Sequence, residues 1–386
     1  MKTIKNIKYI LPILMSFFVM SFCDLVGIGV DRVKPDFHLS DTLAQLIPSA
    51  VFVWFFFLSV PIGILQDRIG KRKVLNVGVM ITALGLFFPF FVYSYASVLL
   101  GFAFLGIGNT IVQVSANPLL VDVVPAAKKS SFLSFSQFVK AIGSMIAPPL
   151  AAFLALQFGD WKILFLTFGI VSILTSFWLG FTKIEEIKTN EKRATFISSF
   201  KLLSNGFITL LVIGIFLLVG IDVGINAVSG QFLMSKFSLA SDSGYAQSAR
   251  SVYFLGKMLG TFGGAFLLAK FALKKFFVWN TLFILITIIL LIIAPTQNTS
   301  TIMMFIFGLA TSTIFPIIFT LAVDKHPLRS NEISGLMIMA VSGGAFIPLL
   351  IGILNDALGL TAGMLVLVAC SAYLLFLALY NSKVRA

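Results

Sequence analysis

Apolar residues arrive in this chain as blocks close to twenty residues long, as at 276–294, separated by short polar segments. A helix needs about 20 residues to cross a hydrocarbon layer of about 30 Å, so each block reads as a transmembrane span and the chain as an all-α membrane protein. Composition points the same way. The 386 residues are 59% hydrophobic and 11% charged, with a mean hydropathy of +1.03, whereas a soluble domain is roughly a quarter charged.

Twelve spans are expected, near 8–30, 43–66, 74–95, 97–121, 131–157, 162–182, 204–229, 245–269, 276–294, 299–322, 332–355 and 360–381. Pro35, Gly70, Pro125 and Pro295 punctuate their ends. The net charge of +13 is distributed by side. Lys2, Lys5 and Lys8 share a face with the clusters at 68–73, 128–129, 183–201, 270–275, 325–329 and 383–385, and the opposite loops keep Arg32, Lys34, Lys162 and Lys236. By the positive-inside bias both termini are cytoplasmic, and a nucleic-acid partner is the poorer explanation of the charge. The basic start and apolar run lack a small-residue cleavage site before Asp24, so they read as an uncleaved first span. Cys23 and Cys370 fall inside apolar stretches and form no disulfide or metal pattern.

The longest hydrophilic stretch, 183–201, holds Glu185, Glu186, Lys188, Glu191, Lys192 and Arg193 near mid-chain. It divides the chain into a six-span bundle at 1–182, a cytoplasmic linker at 183–203 and a second bundle at 204–386. Segments D-L-V-G-I-G-V at 24–30 and D-V-G-I-N-A-V at 222–228 echo one another, as do F-H-L-S at 37–40 and F-S-L-A at 237–240. A six-plus-six duplication of this kind is the sequence trace of a parallel-repeat architecture, two pseudo-symmetric bundles.

Between the second and third spans the chain reads G-I-L-Q-D-R-I-G-K-R-K over 63–73. Gly63 and Gly70 permit a tight turn, and Asp67, Arg68, Lys71 and Arg72 are placed to pair with neighbouring helix ends when this side closes. The loop resembles the G-x-x-x-D-R-x-G-[RK]-[RK] signature of the major facilitator superfamily, in the same loop. That resemblance implies a twelve-helix solute transporter working by alternating access.

Charges at mid-bilayer cost about 2.5–3.5 kcal/mol on insertion scales and persist when paired or lining a cavity. Asp24, Lys140, Asp222, Arg250 and Lys257 are such residues. Asp24 and Asp222 are expected about two-thirds to three-quarters of the way to the outer face, which suits an Asp222–Arg250 pair and a looser Asp24–Lys140 contact. Two readings fit: ion pairs bracing the bundle, or carboxylates at Asp24 and Asp222 that gain and lose a coupling proton. Polar residues also recur at helical spacing: Asn109, Gln113 and Asn117; Gln137, Lys140 and Ser144; Asp222 and Asn226; Arg250, Tyr253 and Lys257. Such stripes either bond helix to helix or line a shared polar cavity whose donors and acceptors suit a polyhydroxylated ligand. The aromatic run at 53–57 reads as packing. His38 and His326 have no metal or catalytic spacing, and no nucleophile elbow, phosphate loop or paired-His motif is present, so the chain does not read as an enzyme.

Three further stretches, Q-V-S-A-N-P at 113–118, T-S-T-I-F-P-I-I-F-T-L-A at 311–322 and G-G-A-F-I-P at 343–348, resemble segments of the fucose/galactose/glucose permease family. The resemblance covers both halves and implies proton-coupled import of a monosaccharide such as fucose, galactose or glucose, without other cofactor. It also implies a monomer in a plasma membrane, the bacterial inner membrane. Gln137 falls where that family commonly has a glutamine. Gln113 stands where it has a glutamate, Lys140 replaces a neutral polar residue, and Lys257 replaces an arginine. Two alternatives remain open: an exporter of amphiphilic compounds, which predicts an apolar cavity, and a membrane sugar sensor that does not transport.

Overall fold

A segment inside lipid must pair its own backbone groups, and the chain does so with helices throughout. The computed structural model describes residues 7–124, 129–186, 196–239, 244–270, 272–325 and 329–383. Lys2, Lys5, Pro125, Lys128, Lys188, Glu191, Lys192, Arg193, His326 and Arg385 lie outside the described residues, as does the side chain of Asp67.

The transmembrane helices are α1 (Lys8–Asp36), α2 (Leu46–Ile69), α3 (Lys71–Phe91), α4 (Tyr95–Val123), α5 (Lys129–Phe158) and α6 (Ile163–Phe181). The second set is α7 (Gly206–Lys236), α8 (Tyr245–Lys270), α9 (Leu273–Ile293), α10 (Gln297–Ala322), α11 (Gly335–Leu358) and α12 (Leu360–Lys383). Length and composition alone qualify 11 of them as spans. The twelfth is α8, whose apolar run is interrupted by Arg250 and Lys257. Together they form the expected two six-helix bundles.

Two apolar cores hold the bundles. One is built on Phe17, Phe22, Phe102 and Phe165, the other on Ile215, Phe277, Phe307 and Leu374. Large apolar side chains such as Leu156, Phe181 and Leu358 stay exposed on the outside, where lipid rather than water meets them. Between helices in lipid, close backbone approach replaces the hydrophobic drive. Gly343 of α11 is an instance: a Cβ there would overlap the Phe216 carbonyl oxygen of α7. Gly343→Val is therefore expected to destabilise the protein by about 1–3 kcal/mol, read as a lower melting midpoint in detergent.

Two helices outrun the expected spans. α1 continues to Asp36 instead of ending near 30, and α7 to Lys236 instead of 229. The extension is supported where its lysines find partners. Lys34 meets Asp41 at 2.6 Å and Gln231 at 3.1 Å, and Lys236 donates to the Leu291 and Ile292 carbonyls at the end of α9. In consequence Asp24 and Asp222 sit about halfway along their helices, roughly 18–24 Å from either end at ~1.5 Å per residue, and not near the outer third.

Candidate functional site

α1 breaks at mid-membrane. Ser21–Leu25 winds as a tighter 3-10 turn, which shifts carbonyl pairing and leaves acceptors for other helices. Asn109 of α4 donates to the Met20 carbonyl at 2.7 Å, and Asn226 of α7 donates to the Asp24 carbonyl at 2.8 Å. Both amides are buried, at 1% and 2% exposure. Of the two roles open to the polar stripes, the donors of these two amides take the helix-to-helix one, at the broken turn of α1.

The turn presents the Asp24 carboxylate to α5, where Ser144 Oγ donates to it at 2.5 Å. The thiol of Cys23, buried and unbridged, lies 3.7 Å from the same carboxylate. Among the described residues no cation comes within 4.0 Å of Asp24. The expected Asp24–Lys140 contact is therefore not made. Lys140, one helical turn before Ser144 on the same α5 face, stands off from direct contact while remaining within electrostatic reach of both Asp24 and Asp222.

Asp222 has closer partners. Lys257 reaches it at 2.7 Å and the Tyr253 hydroxyl donates to it at 2.6 Å, both from α8. The expected Asp222–Arg250 pair does not form, because Arg250 lies two helical turns from Lys257, nearer the end of α8 away from the chain termini. Arg250 pairs instead with Asp31 of α1 at 2.8 Å. Asp31 escaped the sequence reading because the first span was ended at 30. Its spacing of seven residues from Asp24, two turns along one helix face, was the available signal.

Two carboxylates and two lysines thus converge where the bundles meet, Asp24 and Lys140 from the first and Asp222 and Lys257 from the second. Gln113 and Asn117 continue the α4 face that begins at Asn109 and are half-buried; Gln137, one turn before Lys140, is exposed. Asn117 also donates within its own helix to the Gln113 carbonyl at 3.3 Å.

The loop between α2 and α3 binds helix ends of its own bundle. Gly70 adopts φ +100°, a conformation open to glycine. Lys71 pairs with Asp122 near the end of α4 at 2.6 Å, and Arg72 donates to the Gly180 and Thr182 carbonyls that close α6. Gly63 faces open space and Arg68 is exposed. Glu186, from the segment after α6, accepts the Lys71 and Arg72 backbone N–H groups at 2.6 and 3.0 Å, a cap for α3 that its own Gly70 cannot supply. Glu186→Ala is expected to cost about 1 kcal/mol, measurable as a lower unfolding midpoint that Glu186→Gln partly restores.

The Major Facilitator Superfamily profile matches residues 12–348. The chain belongs to the major facilitator superfamily. Among relatives, the "Glucose/galactose transporter" of Brucella abortus is 28% identical over 389 residues, covering 95% of this chain and 92% of that one. The "Putative glucose/galactose transporter" of Helicobacter pylori is 29% identical over 394 residues, covering 95% of each. The solved structure of the Escherichia coli fucose:proton symporter FucP superposes with a TM-score of 0.70 at 19% identity, over 98% of this chain and 100% of that chain. The superfamily assignment makes the chain a multi-pass membrane transporter of a small molecule and not an enzyme.

Proposed function

We propose that this transporter imports a monosaccharide of the hexose or deoxyhexose type together with protons, by rocking of its two bundles about the mid-membrane charged cluster. The observation that carries the reading is the convergence of Asp24, Lys140, Asp222 and Lys257 from both bundles, with amides at Gln113, Asn117 and Gln137 on the adjoining helix faces. Carboxylates, ammonium groups and amides together match the alternating donors and acceptors of a sugar ring. The similarity to glucose/galactose transporters over nearly the whole chain supports the same substrate class.

Asp24 is the better proton carrier of the two carboxylates. Its partner is a hydroxyl, which donates to a carboxylate and accepts from a carboxylic acid equally well. Asp222 is held by an ammonium and a phenol, and protonation would break that ion pair. The reading also puts both termini in the cytoplasm of a bacterial inner membrane, which the positive-inside bias of the loops supports, and takes the chain to act as a monomer without a nucleic-acid partner. In that orientation the polar bonds between bundles, including Lys34–Gln231 and Ser49–Ala345, run from mid-membrane towards the outside, so this state is closed outward. Purified protein in proteoliposomes, given a panel of hexoses with and without an inward proton gradient, tests the proposal. Gradient-driven accumulation of at least one hexose is the expected result, and no uptake of any would end it.

A further inference from the structure

Of the five ion pairs among the described residues, four lie within one bundle and one, Asp31–Arg250, joins the two. It sits about 8 Å inside the ends of α1 and α8 that point away from the chain termini, at ~1.5 Å per residue. Arg250 is 0% exposed and Asp31 6%. None of the three guanidinium nitrogens of Arg250 and neither carboxylate oxygen of Asp31 makes a hydrogen bond of good geometry among the described residues, so the guanidinium is desolvated for a single charge contact. A buried pair supported so thinly gains little over the hydration both charges lose, and its use lies in selecting one arrangement over another.

The surroundings show which arrangement. Gly230 of α7 lies directly against the pair: a Cβ there would collide with Asp31 Oδ2 and Arg250 Nη2. Three helices therefore close on two charges with no side chain between them. Around the pair, Asp356 of α11 accepts the Asp41 and Thr42 backbone N–H groups at 2.7 and 2.8 Å, and Lys34 reaches Gln231. If the bundles part on this face, water reaches both Asp31 and Arg250 and repays their lost hydration. Closing returns the charge contact. A brace inside one bundle has no such exchange.

We propose that Asp31 and Arg250 are the lock that holds the transporter closed on the face away from its termini, and that Gly230 is the small residue that lets the lock shut. α8 ties this lock to the central cluster, since Arg250, Tyr253 and Lys257 share one of its faces and the latter two hold Asp222. The inference rests on the alternating-access reading but not on the identity of the solute.

The test reads opening directly. Ser49 lies in the first turn of α2, where its hydroxyl donates across the bundle boundary to the Ala345 carbonyl, so it is freed when this face opens. With Ser49→Cys as a reporter, the full-length protein is placed in nanodiscs, which expose both faces, and labelled with a hydrophilic maleimide, subtracting the labelling of the chain without the reporter. Asp31→Asn and Arg250→Gln are each expected to raise the labelling rate roughly five- to tenfold by shifting the population towards the open form. The exchange Asp31→Arg with Arg250→Asp is expected to bring it back towards the parent value. Single variants that label like the parent overturn the proposal. An exchange variant that stays as reactive as the single ones also overturns it, because loss of packing alone would then explain the opening. No sugar enters this measurement, so a failed uptake panel sinks the sugar reading and leaves the lock standing, and the reverse holds equally.

Discussion

Proteoliposomes carrying Asp24→Asn are expected to exchange sugar across the membrane but to lose accumulation driven by a proton gradient. One unit of pH gradient is worth about 1.4 kcal/mol per proton, which supports about tenfold accumulation at one proton per sugar. The parent should approach that ratio and the variant should stop at equal concentrations. Asparagine keeps the shape of the protonated side chain and still accepts from Ser144, so counterflow, which needs no net proton movement, is expected to persist. The broken turn of α1 should survive as well, since the bonds from Asn109 and Asn226 go to backbone carbonyls and not to the carboxylate. Accumulation by Asp24→Asn equal to that of the parent would remove Asp24 from the coupling step.

A second large effect is expected at Lys257. Replacing it with glutamine leaves Asp222 at mid-membrane with Tyr253 as its remaining close partner. Removing one member of a fully buried pair costs about 3–5 kcal/mol. Here the side chains are 30% and 19% exposed, so water screens part of the loss, and about 2 kcal/mol, near a 30-fold change, is the expected scale. Lys257→Gln should therefore show a reduced melting midpoint and weak counterflow. The double variant with Asp222→Asn removes the orphaned charge, and most of the lost stability should return. A double variant no more stable than Lys257→Gln alone would mean that Lys257 acts through packing and not through its charge.

The two charge pairs that the sequence suggested illustrate how far it could be read. Five intramembrane charges, Asp24, Lys140, Asp222, Arg250 and Lys257, are visible as interruptions of apolar blocks, and the stripe Arg250–Tyr253–Lys257 is visible as one helix face. Their partners were not. Asp222 was assigned to Arg250 because both were placed near the outer face, but α7 runs to Lys236 and carries Asp222 back to mid-membrane, level with Lys257. The first span, read as ending near 30 with Pro35 beyond it, leaves Asp31 outside the membrane. The structure pairs Lys34 with Asp41 and keeps the helix going. The bonds of Asn109 and Asn226 to α1 were not legible for a different reason: helical spacing says which face a side chain occupies, and nothing about a broken turn on another helix that takes its donor.

The amino-acid sequence by itself determined the number of spans, the division into two bundles and the loop that marks the superfamily. These follow from local quantities, the length of apolar runs, the placement of glycine and proline, and the side bias of lysine and arginine, each of which acts within a single segment. Tertiary structure alone decided which charges meet. An ion pair forms where two helices from distant parts of the chain reach the same depth, and that depth depends on where α1 breaks, how far α1 and α7 extend, and how closely the backbones approach at Gly230.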